Sequence, residues 1–307
     1  MNNTTLITLL EKSGITTSNT GGLLNAEQAD KFIQTTVNQS ALLKDFRIEN
    51  NIGTQRELET IGTGNRLLHA PAEDTVPADN LIRGVTTAKR TLIPVEVMLP
   101  YNISLKYLEE NIEKSDAENT INNLFAKQFS NDLLDLSLNG SVLTNVVHPD
   151  YNFLKITDSY FAHLDADPNR IYFEREGSAD WKGVVFPQLV KMMPSKHKAD
   201  VSNLVLLTSF DVEEEYRMQL SDRVTALGDA YLTEGRRAQY KGITVQPVPF
   251  MEYGRVMLTS KKNLALGFGR DITVYKMLNP RARRVEYTIT AKIDFNYVLT
   301  DLITYCI

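Results

Sequence analysis

A nearly perfect alternation of apolar and polar residues near the C-terminus constrains the fold of this 307-residue chain more than any other feature. From Val285 to Leu299 the odd-numbered residues are Val, Tyr, Ile, Ala, Ile, Phe, Tyr and Leu, and the residues between them are almost all polar. A period of two is typical of a strand that buries one face. An ordinary strand has about 5 or 6 residues, so the segment predicts one very long strand or two strands with a bend near 294–296.

The longest helix is predicted between a capping motif and a glycine. Ser115 and Glu118 match a capping box, in which two side chains bond free backbone N–H groups at a helix start. Gly140 is a typical C-terminal stop. Between them, apolar residues at helical spacing form one face: Ile121, Leu124, Phe125, Phe129, Leu133 and Leu136. At about 1.5 Å per residue the helix is roughly 36 Å long, so it is predicted to be the backbone of the body.

Two N-terminal segments are predicted to need something else to pack against. Asn25 and Gln28 match a helix start, and a single apolar stripe continues to about residue 43. Residues 50–92 have scattered apolar residues and no pattern that could form a core. A segment of that length is either disordered or a functional extension. A two-stranded arm fits it, if a partner holds the arm down.

The remaining patterns predict short helices and strands. An alternating strand covers 93–104, and Ser104 starts a helix that runs to about residue 112. Residues 141–180 are polar and are predicted to be loop-like. Further elements are predicted as a helix from Phe186 to about Met193, a buried strand at 203–209, a helix capped by Ser209, an edge strand or strand end at 243–251, and a strand at 255–260.

The stretch LGFGRD resembles the start of a dinucleotide-binding loop at Gly267 and Gly269. That fingerprint needs a third glycine and a following helix. Ile272 stands at the third position, and the next residues, ITVYK, are typical of a strand. The pattern therefore predicts a turn between two strands, with Gly269 as a candidate for positive φ.

A second motif allows two interpretations. Asp165, Asp167, Asn169 and Glu176 occupy positions 1, 3, 5 and 12 of a calcium loop. Arg170 stands where such a loop needs glycine. The segment is therefore either a weak calcium-binding candidate or an Asx-rich turn that enters a strand at 171–174.

No other pattern indicates chemistry. The four histidines form no metal-binding spacing, and the single cysteine excludes an internal disulfide or a cysteine-based zinc site. The net charge of −5 argues against a broad nucleic-acid-binding face, and no apolar run approaches the roughly 18 residues of a membrane helix. The prediction is a protein without catalytic residues, metal or cofactor.

Several segments, taken in order, resemble the major capsid proteins of tailed double-stranded-DNA bacteriophages, whose shell fold is shared with encapsulins and the herpesvirus capsid floor. The segments that carry the resemblance are IPVEVMLPYNIS with the helix ending in DLSLNGSV, then FPQLVKMMPSKHKADVSNLVLLTSFD, YKGITVQPVPFM and NLALGFGRDITVYK. The resemblance covers about residues 25–307. It implies an α+β shell fold with an arm, an extended loop, a spine helix, an axial α/β domain and a peripheral domain with long antiparallel strands.

The same resemblance implies a division of the chain. The parts are an N-terminal arm at 1–49, an extended two-stranded loop at 50–92, a peripheral domain at 93–181 and 262–307 with the spine helix at 115–139, and an axial domain at 182–261.

The resemblance further implies a structural role. Such a chain self-assembles as hexamers and pentamers into an icosahedral shell that encloses double-stranded DNA without reading its sequence. Scaffolding, portal and decoration proteins are the implied partners, with no membrane. The implied location is the virion capsid, with assembly in the bacterial host cytoplasm. The alternatives are an encapsulin-like compartment or, from another class, a calcium-binding module using Asp165–Glu176.

Charged residues in the extended and peripheral segments are the candidate contacts between subunits. They are Arg66, Arg83, Lys89, Arg90, Arg270, Asp271, Arg281 and Arg283. Arg281 and Arg283 are predicted to share one face of a strand. Some members of the resembled family join subunits by lysine–asparagine isopeptide bonds, and Lys89 is the only lysine in the extended segment that could do so.

Overall fold

A computed structural model describes residues 22–23, 36, 40, 42–63, 85–110, 117–175, 180–221, 238–269 and 273–307. Within these ranges the chain is α+β, as the sequence predicts. Its strands are β1 Gly22–Leu23, β2 Arg47–Ile52, β3 Arg56–Thr63, β4 Val85–Leu92, β5 Val95–Ser104, β6 Tyr172–Phe173, β7 Leu204–Thr208, β8 Gln239–Tyr240, β9 Ile243–Pro247, β10 Val256–Ser260, β11 Leu264–Gly269, β12 Thr273–Asn279, β13 Arg284–Tyr297 and β14 Thr304–Cys306. Its α-helices are α1 Leu105–Glu110, α2 Ala117–Asn139, α3 Tyr151–Leu154, α4 Tyr160–Ala166, α5 Phe186–Met192 and α6 Phe210–Ser221.

The alternating C-terminal segment forms one continuous strand, β13, which confirms the first of the two predicted options. It is the centre of a six-stranded sheet. On one side β5 pairs antiparallel with Arg284–Ile293. On the other side β12 pairs with Arg284–Thr290 and β11 with Ile293–Tyr297. One strand thus holds three partners together, which explains its length.

The strands β11 and β12 run along the same side of β13 in the same direction, so the predicted turn between them is wrong. Phe268 pairs with Ile293, and Thr273 pairs with Thr290. The five steps from Phe268 to Thr273 therefore correspond to three steps along β13. Residues 270–272 themselves lie outside the described ranges.

Gly267 and Gly269 serve close packing. Among the described residues, the glycines with positive φ are Gly242 and Gly254, so the prediction of positive φ at Gly269 is also wrong. A Cβ atom on Gly267 would lie 2.8 Å from Ile52 Cδ1, and one on Gly269 would lie 2.5 Å from Lys292 Cβ. The absence of a side chain lets the neighbouring groups approach the strand.

The predicted long helix is confirmed as α2, which begins two residues after the predicted cap. Gly140 follows it, where a Cβ would lie 2.5 Å from the Thr157 carbonyl oxygen. Its Phe125 ring stacks on Tyr101 of β5, at 4.0 Å between ring centroids. Leu124 was predicted on the buried face but is 65% exposed. The helix packs its buried residues into the largest core, with β11 and β13.

Residues 141–175 are more ordered than the polar composition predicts, and the loop interpretation is wrong. They contain α3, α4 and β6. Ser159 caps α4 by accepting from Ala162 N at 3.2 Å, and Tyr160 and Leu164 are fully buried in the main core. Short helices of mixed polarity give too few residues for a helical period to stand out.

A second six-stranded sheet has the order β6-β14-β10-β7-β9-β8. The helices α5 and α6 pack against it around a separate core. Ser209 accepts from Val212 N at 3.3 Å, which confirms the predicted cap of α6. Strand β9 lies between β7 and β8, so it is no edge, and Pro247 stands at its end.

The two strands predicted within 50–92 are confirmed as the antiparallel pair β3 and β4, here called the extended hairpin. The prediction that residues 50–92 lack a core is wrong at the end of the hairpin next to the body, here called the root of the hairpin. Leu58 and Leu92 are buried with a small cluster of the body: Ile52, Ala265 and Val298. The helix predicted over 26–43 lies almost wholly outside the described residues. The division into arm, extended loop, peripheral and axial domains stays a prediction.

Candidate functional site

The extended hairpin is fastened to the body through Arg90, on strand β4. The Arg90 guanidinium forms an ion pair with Asp167, which follows α4, and donates to Thr300 Oγ1 at 2.7 Å. It also lies 4.7 Å from the centre of the Tyr297 ring. Only 4% of the Asp167 side chain is exposed. These four residues, Arg90, Asp167, Tyr297 and Thr300, are called the hairpin anchor.

Asp167 is the centre of the hairpin anchor. It accepts from the Tyr297 hydroxyl at 2.7 Å, from Thr300 Oγ1 at 2.9 Å and from Asn169 N at 2.9 Å. Burial alone would raise the pKa of Asp167, but the hydrogen bonds from Asn169, Tyr297, Thr300 and Arg90 outweigh it and lower the pKa to about 2. Burial and the bond to Asp167 raise the pKa of Tyr297. Asp167 is therefore an ionised carboxylate whose hydrogen bonds hold these neighbouring groups in place.

A second attachment uses side chains of β13 in place of a backbone ladder. Asp294 Oδ2 accepts from Ile93 N at 2.7 Å, and Asn296 Nδ2 donates to the Thr91 carbonyl at 2.9 Å. Both bonds lie just before Pro94, which has no N–H to offer a ladder. Burial raises the pKa of Asp294. The side chains of Asp294 and Asn296 thus hold the backbone where β4 passes into β5.

The described residues of the calcium-loop motif bind different partners within the chain. Asp165 lies in the last turn of α4 and accepts from the Tyr305 hydroxyl at 2.7 Å. Asp167 binds Arg90, and Asn169 contributes its backbone N–H. Glu176 lies outside the described residues. Across the described ranges, no group of three or more His, Cys, Asp or Glu side chains could hold a metal ion. The structure favours the Asx-rich turn.

The candidate contacts between subunits have different surroundings. Arg90 is engaged within its own chain. Lys89, the adjacent residue, is exposed and pairs with Glu57 at 2.6 Å and Glu59 at 3.0 Å across the hairpin. The hydrogen bonds to these carboxylates raise the pKa of Lys89. Four candidates lie outside the described residues: Arg66, Arg83, Arg270 and Asp271.

The prediction that Arg281 and Arg283 share one face of a strand is wrong. Both lie in the exposed turn that joins β12 to β13. Arg283 has a φ of 48°. Its carbonyl accepts from Leu105 N at 2.9 Å. Asn279 and Pro280 are residues that favour turns, so the sequence contained a signal for this turn. Both guanidinium groups stand at the tip of the β12–β13 hairpin.

An exposed apolar loop follows α2 and was missed at the sequence level. Its apolar side chains are exposed to solvent: Val142 by 56%, Leu143 by 92%, Val146 by 73% and Val147 by 86%. The backbone is held by bonds from Val142 N to Asp158 Oδ1 at 2.8 Å and from Ser141 N to the Leu154 carbonyl at 2.9 Å. Residues 141–147, SVLTNVV, carry no charge, which is the signal that could have found it. A fixed, uncharged apolar surface of this kind is typical of a protein contact.

Comparisons with known proteins agree with this arrangement. No family model matches the chain. YqbE of Bacillus subtilis (strain 168), named as a prophage capsid protein, is 28% identical over 293 residues, covering 91% of this chain and 90% of the relative. The chain is therefore similar over most of its length to a prophage capsid protein.

Solved capsid structures share the fold of this chain. A chain of the satellite phage P4 procapsid superposes with a TM-score of 0.71 at 14% identity, covering 100% of this chain and 97% of the other. A chain of the capsid of an empty GTA particle gives a TM-score of 0.58 at 13% identity, covering 95% and 93%. The predicted shell fold is confirmed. No helix in the described ranges is long and apolar enough to cross a membrane.

Proposed function

We propose that this protein is the major capsid subunit of an icosahedral shell, assembled as hexamers and pentamers around double-stranded DNA. The observation that carries the proposal is the similarity to a prophage capsid protein over 91% of the chain. A shell subunit needs no catalytic group, and the ionisable side chains of the hairpin anchor have structural partners.

The shape of the subunit supports assembly. In the described residues, β3 and β4 form a two-stranded sheet of their own, fixed to the body only at its root. A two-stranded hairpin alone is marginally stable in water, so neighbouring subunits are the natural support for the rest of it. The exposed loop at Val142–Val147 is a second surface that gains from burial.

The finer assignments follow from the same proposal. Lys89, Arg281 and Arg283 are exposed and are proposed to contact neighbouring subunits. The shell holds DNA without sequence recognition, which agrees with the net charge of −5. Scaffolding, portal and decoration proteins are proposed partners, and the protein is assembled in the host cytoplasm and resides in the virion capsid.

No observation favours the competing functions. An encapsulin-like compartment has a similar fold, but the relative that covers nearly the whole chain is named for a prophage capsid. A calcium-binding module would need Asp165 and Asp167 to turn away from Tyr305 and Arg90.

Sedimentation velocity and negative-stain microscopy of the purified protein test the proposal. The expected result is closed shells, tubes, or rings of five and six, whose yield rises with protein concentration. Nuclease treatment of particles purified from phage-producing cells should leave protected double-stranded DNA. A protein that stays monomeric at all concentrations, and is absent from such particles, would contradict the proposal.

A further inference from the structure

Two connections between the large sheets lie side by side. Residues 261–263 join β10 to β11, and residues 298–303 join β13 to β14. Asn263 Nδ2 donates to the Leu299 carbonyl at 2.9 Å, and Leu299 N donates to Asn263 Oδ1 at 2.8 Å. The chain therefore passes between the two sheets twice at one place, and the side chains of both connections share one surface.

Two further segments adjoin these connections through ion pairs. Lys261 pairs at 2.6 Å with Asp45, in the short turn before β2. Lys196, which follows α5, pairs at 2.6 Å with Asp301. Parts of the chain that are far apart in sequence are thus neighbours here. The neighbouring segments are residues 43–45, 191–203, 261–263 and 298–303.

These four segments concentrate positive charge in a chain whose net charge is −5. They contain three carboxylates. Asp45 and Asp301 each pair with one lysine, and Asp200 accepts from two neighbouring side chains instead. Six lysines against three carboxylates give a local charge of +3, so the rest of the chain carries −8. The six are here called the lysine ridge: Lys44, Lys191, Lys196, Lys198, Lys261 and Lys262.

Half of the lysine ridge is free to bind an external anion. Lys44, Lys191 and Lys262 are exposed. In the part of the chain that the structure describes, no carboxylate pairs with any of these three side chains. An exposed ammonium group with no partner in its own subunit gains from a phosphate or carboxylate supplied from outside.

The composition of the lysine ridge suits a phosphate backbone better than a protein. Contacts between proteins are enriched in aromatic residues and arginine, and depleted in lysine. The four segments contain six lysines but no arginine, phenylalanine, tyrosine or tryptophan. Lysine is a flexible point charge, and contacts of such charges with phosphates carry no information about base sequence. These are the properties needed to hold DNA of any sequence.

We propose that the lysine ridge faces the packaged double-stranded DNA and binds its phosphates. The inference rests on the proposed shell function, because it names the surface of the subunit that meets the enclosed DNA. The negative charge of the rest of the chain is unfavourable next to DNA. The lysine ridge is therefore the inward surface, where it offsets part of the repulsion between the shell and its contents.

Chemical labelling of intact particles tests which surface meets DNA. Lysines are acetylated with a small reagent in DNA-filled particles and in particles of the same shell that have released their DNA, and mass spectrometry measures the modified fraction. Lys44, Lys191 and Lys262 should be labelled severalfold less in the filled particles. Lys127 and Lys241 are exposed and lie outside the ridge, so their labelling should not change.

Salt-dependent binding of a short DNA duplex to the unassembled subunit tests the chemistry. The logarithm of the affinity falls by about 0.9 per phosphate contact for each tenfold rise in salt. Removing three contacts should therefore flatten that slope by about 3. The test variant combines Lys44→Gln, Lys191→Gln and Lys262→Gln. A control variant makes the same change of net charge at exposed lysines elsewhere: Lys127→Gln, Lys155→Gln and Lys241→Gln.

The outcomes separate the lysine ridge from the shell function. DNA-filled particles whose ridge lysines are labelled as fast as those of emptied particles overturn the DNA contact and leave the shell function standing. Equal flattening by the test and control variants would indicate an effect of net charge alone and would also overturn it. Protection only in precursor particles that contain scaffolding protein would assign the ridge to an acidic protein instead. Failure of the unmodified protein to form any particle overturns the shell function itself, and this contact with it.

Discussion

Arg90 of strand β4 forms an ion pair with Asp167, which lies 77 residues later at the end of helix α4. The pair fastens the root of the extended hairpin to the body of the subunit. Each residue has a different interpretation at the sequence level, Arg90 as a contact between subunits and Asp167 as a calcium ligand. The structure assigns both to one internal anchor. The hairpin is therefore positioned before assembly, by groups within its own chain.

Replacing Asp167 with Asn should lower the stability of the unassembled subunit. The pKa of Asp167 falls from an ordinary 3.8 to about 2, and each unit corresponds to about 1.4 kcal/mol. The expected loss in the free energy of unfolding is therefore about 2 kcal/mol at neutral pH. Urea denaturation measures it. The control is Asp165→Asn, two residues earlier and more exposed, which should cost clearly less. Equal effects of the two variants would argue against the anchor.

The same carboxylate predicts a pH dependence with a definite sign. The pKa of Asp167 is lower in the folded chain than in the unfolded chain, so its stabilisation is present above about pH 4. It is lost as the pH falls toward about 2. Burial raises the pKa of Asp294, so its contribution has the opposite slope. Because Asp294 is present in both proteins, the stability difference between wild type and Asp167→Asn isolates Asp167. That difference should shrink between pH 4 and pH 2; a constant difference would contradict the assignment.

Removing the Arg90 side chain should loosen the hairpin without unfolding the body. A hydrogen bond to a charged group is worth about 1.5–3 kcal/mol, so amide exchange in β4 should become roughly tenfold faster or more in Arg90→Ala. Hydrogen–deuterium exchange mass spectrometry measures this in the unassembled subunit. Lys89→Ala is the matched control, since Lys89 bonds only Glu57 and Glu59 within the hairpin. If both variants exchange alike, Arg90 does not anchor the hairpin to the body.

The sequence predicted those elements whose signals are local. The alternation of β13, the periodicity of α2 and the caps at Ser104 and Ser209 each depend on residues within one element, and all are confirmed. The relation of β11 to β12 depends instead on the register of each with β13, which no local pattern encodes. The Arg90–Asp167 pair spans 77 residues for the same reason. Short helices such as α4 were missed because two turns are too few to show a period.

Gly269 should tolerate no side chain. A Cβ there would lie 2.5 Å from Lys292 Cβ on the paired strand, so β11 and β13 would have to separate. Gly269→Ala should cost about 1–3 kcal/mol in the free energy of unfolding, as overpacking does elsewhere. Gly53 has nothing within 4 Å of the corresponding position, and Gly53→Ala should be close to neutral. Thermal denaturation compares the two, and a neutral Gly269→Ala would show that the strands separate at little cost.

The exposed loop after α2 should matter for assembly and not for folding. Leu143 is 92% exposed, so Leu143→Asp should leave the melting temperature of the subunit unchanged. In a shell, the new charge would be buried without a partner, which is costly, and particle yield should fall severalfold. Asn145→Asp is the matched control, because it adds the same charge to the same loop and keeps the acceptor for Val147 N. Light scattering during assembly measures the particle yield of both variants. A yield of Leu143→Asp equal to that of the unmodified protein would mean that the loop faces solvent in the particle.

Electron cryomicroscopy of assembled particles tests the central claim most directly. The shell function predicts a closed icosahedral layer whose repeating density fits this subunit in rings of six, with rings of five at the vertices. The extended hairpin should lie against a neighbouring subunit, and the Arg90–Asp167 anchor should be intact within each chain. Particles without such rings, or a protein that remains a compact monomer under every assembly condition, would contradict the account.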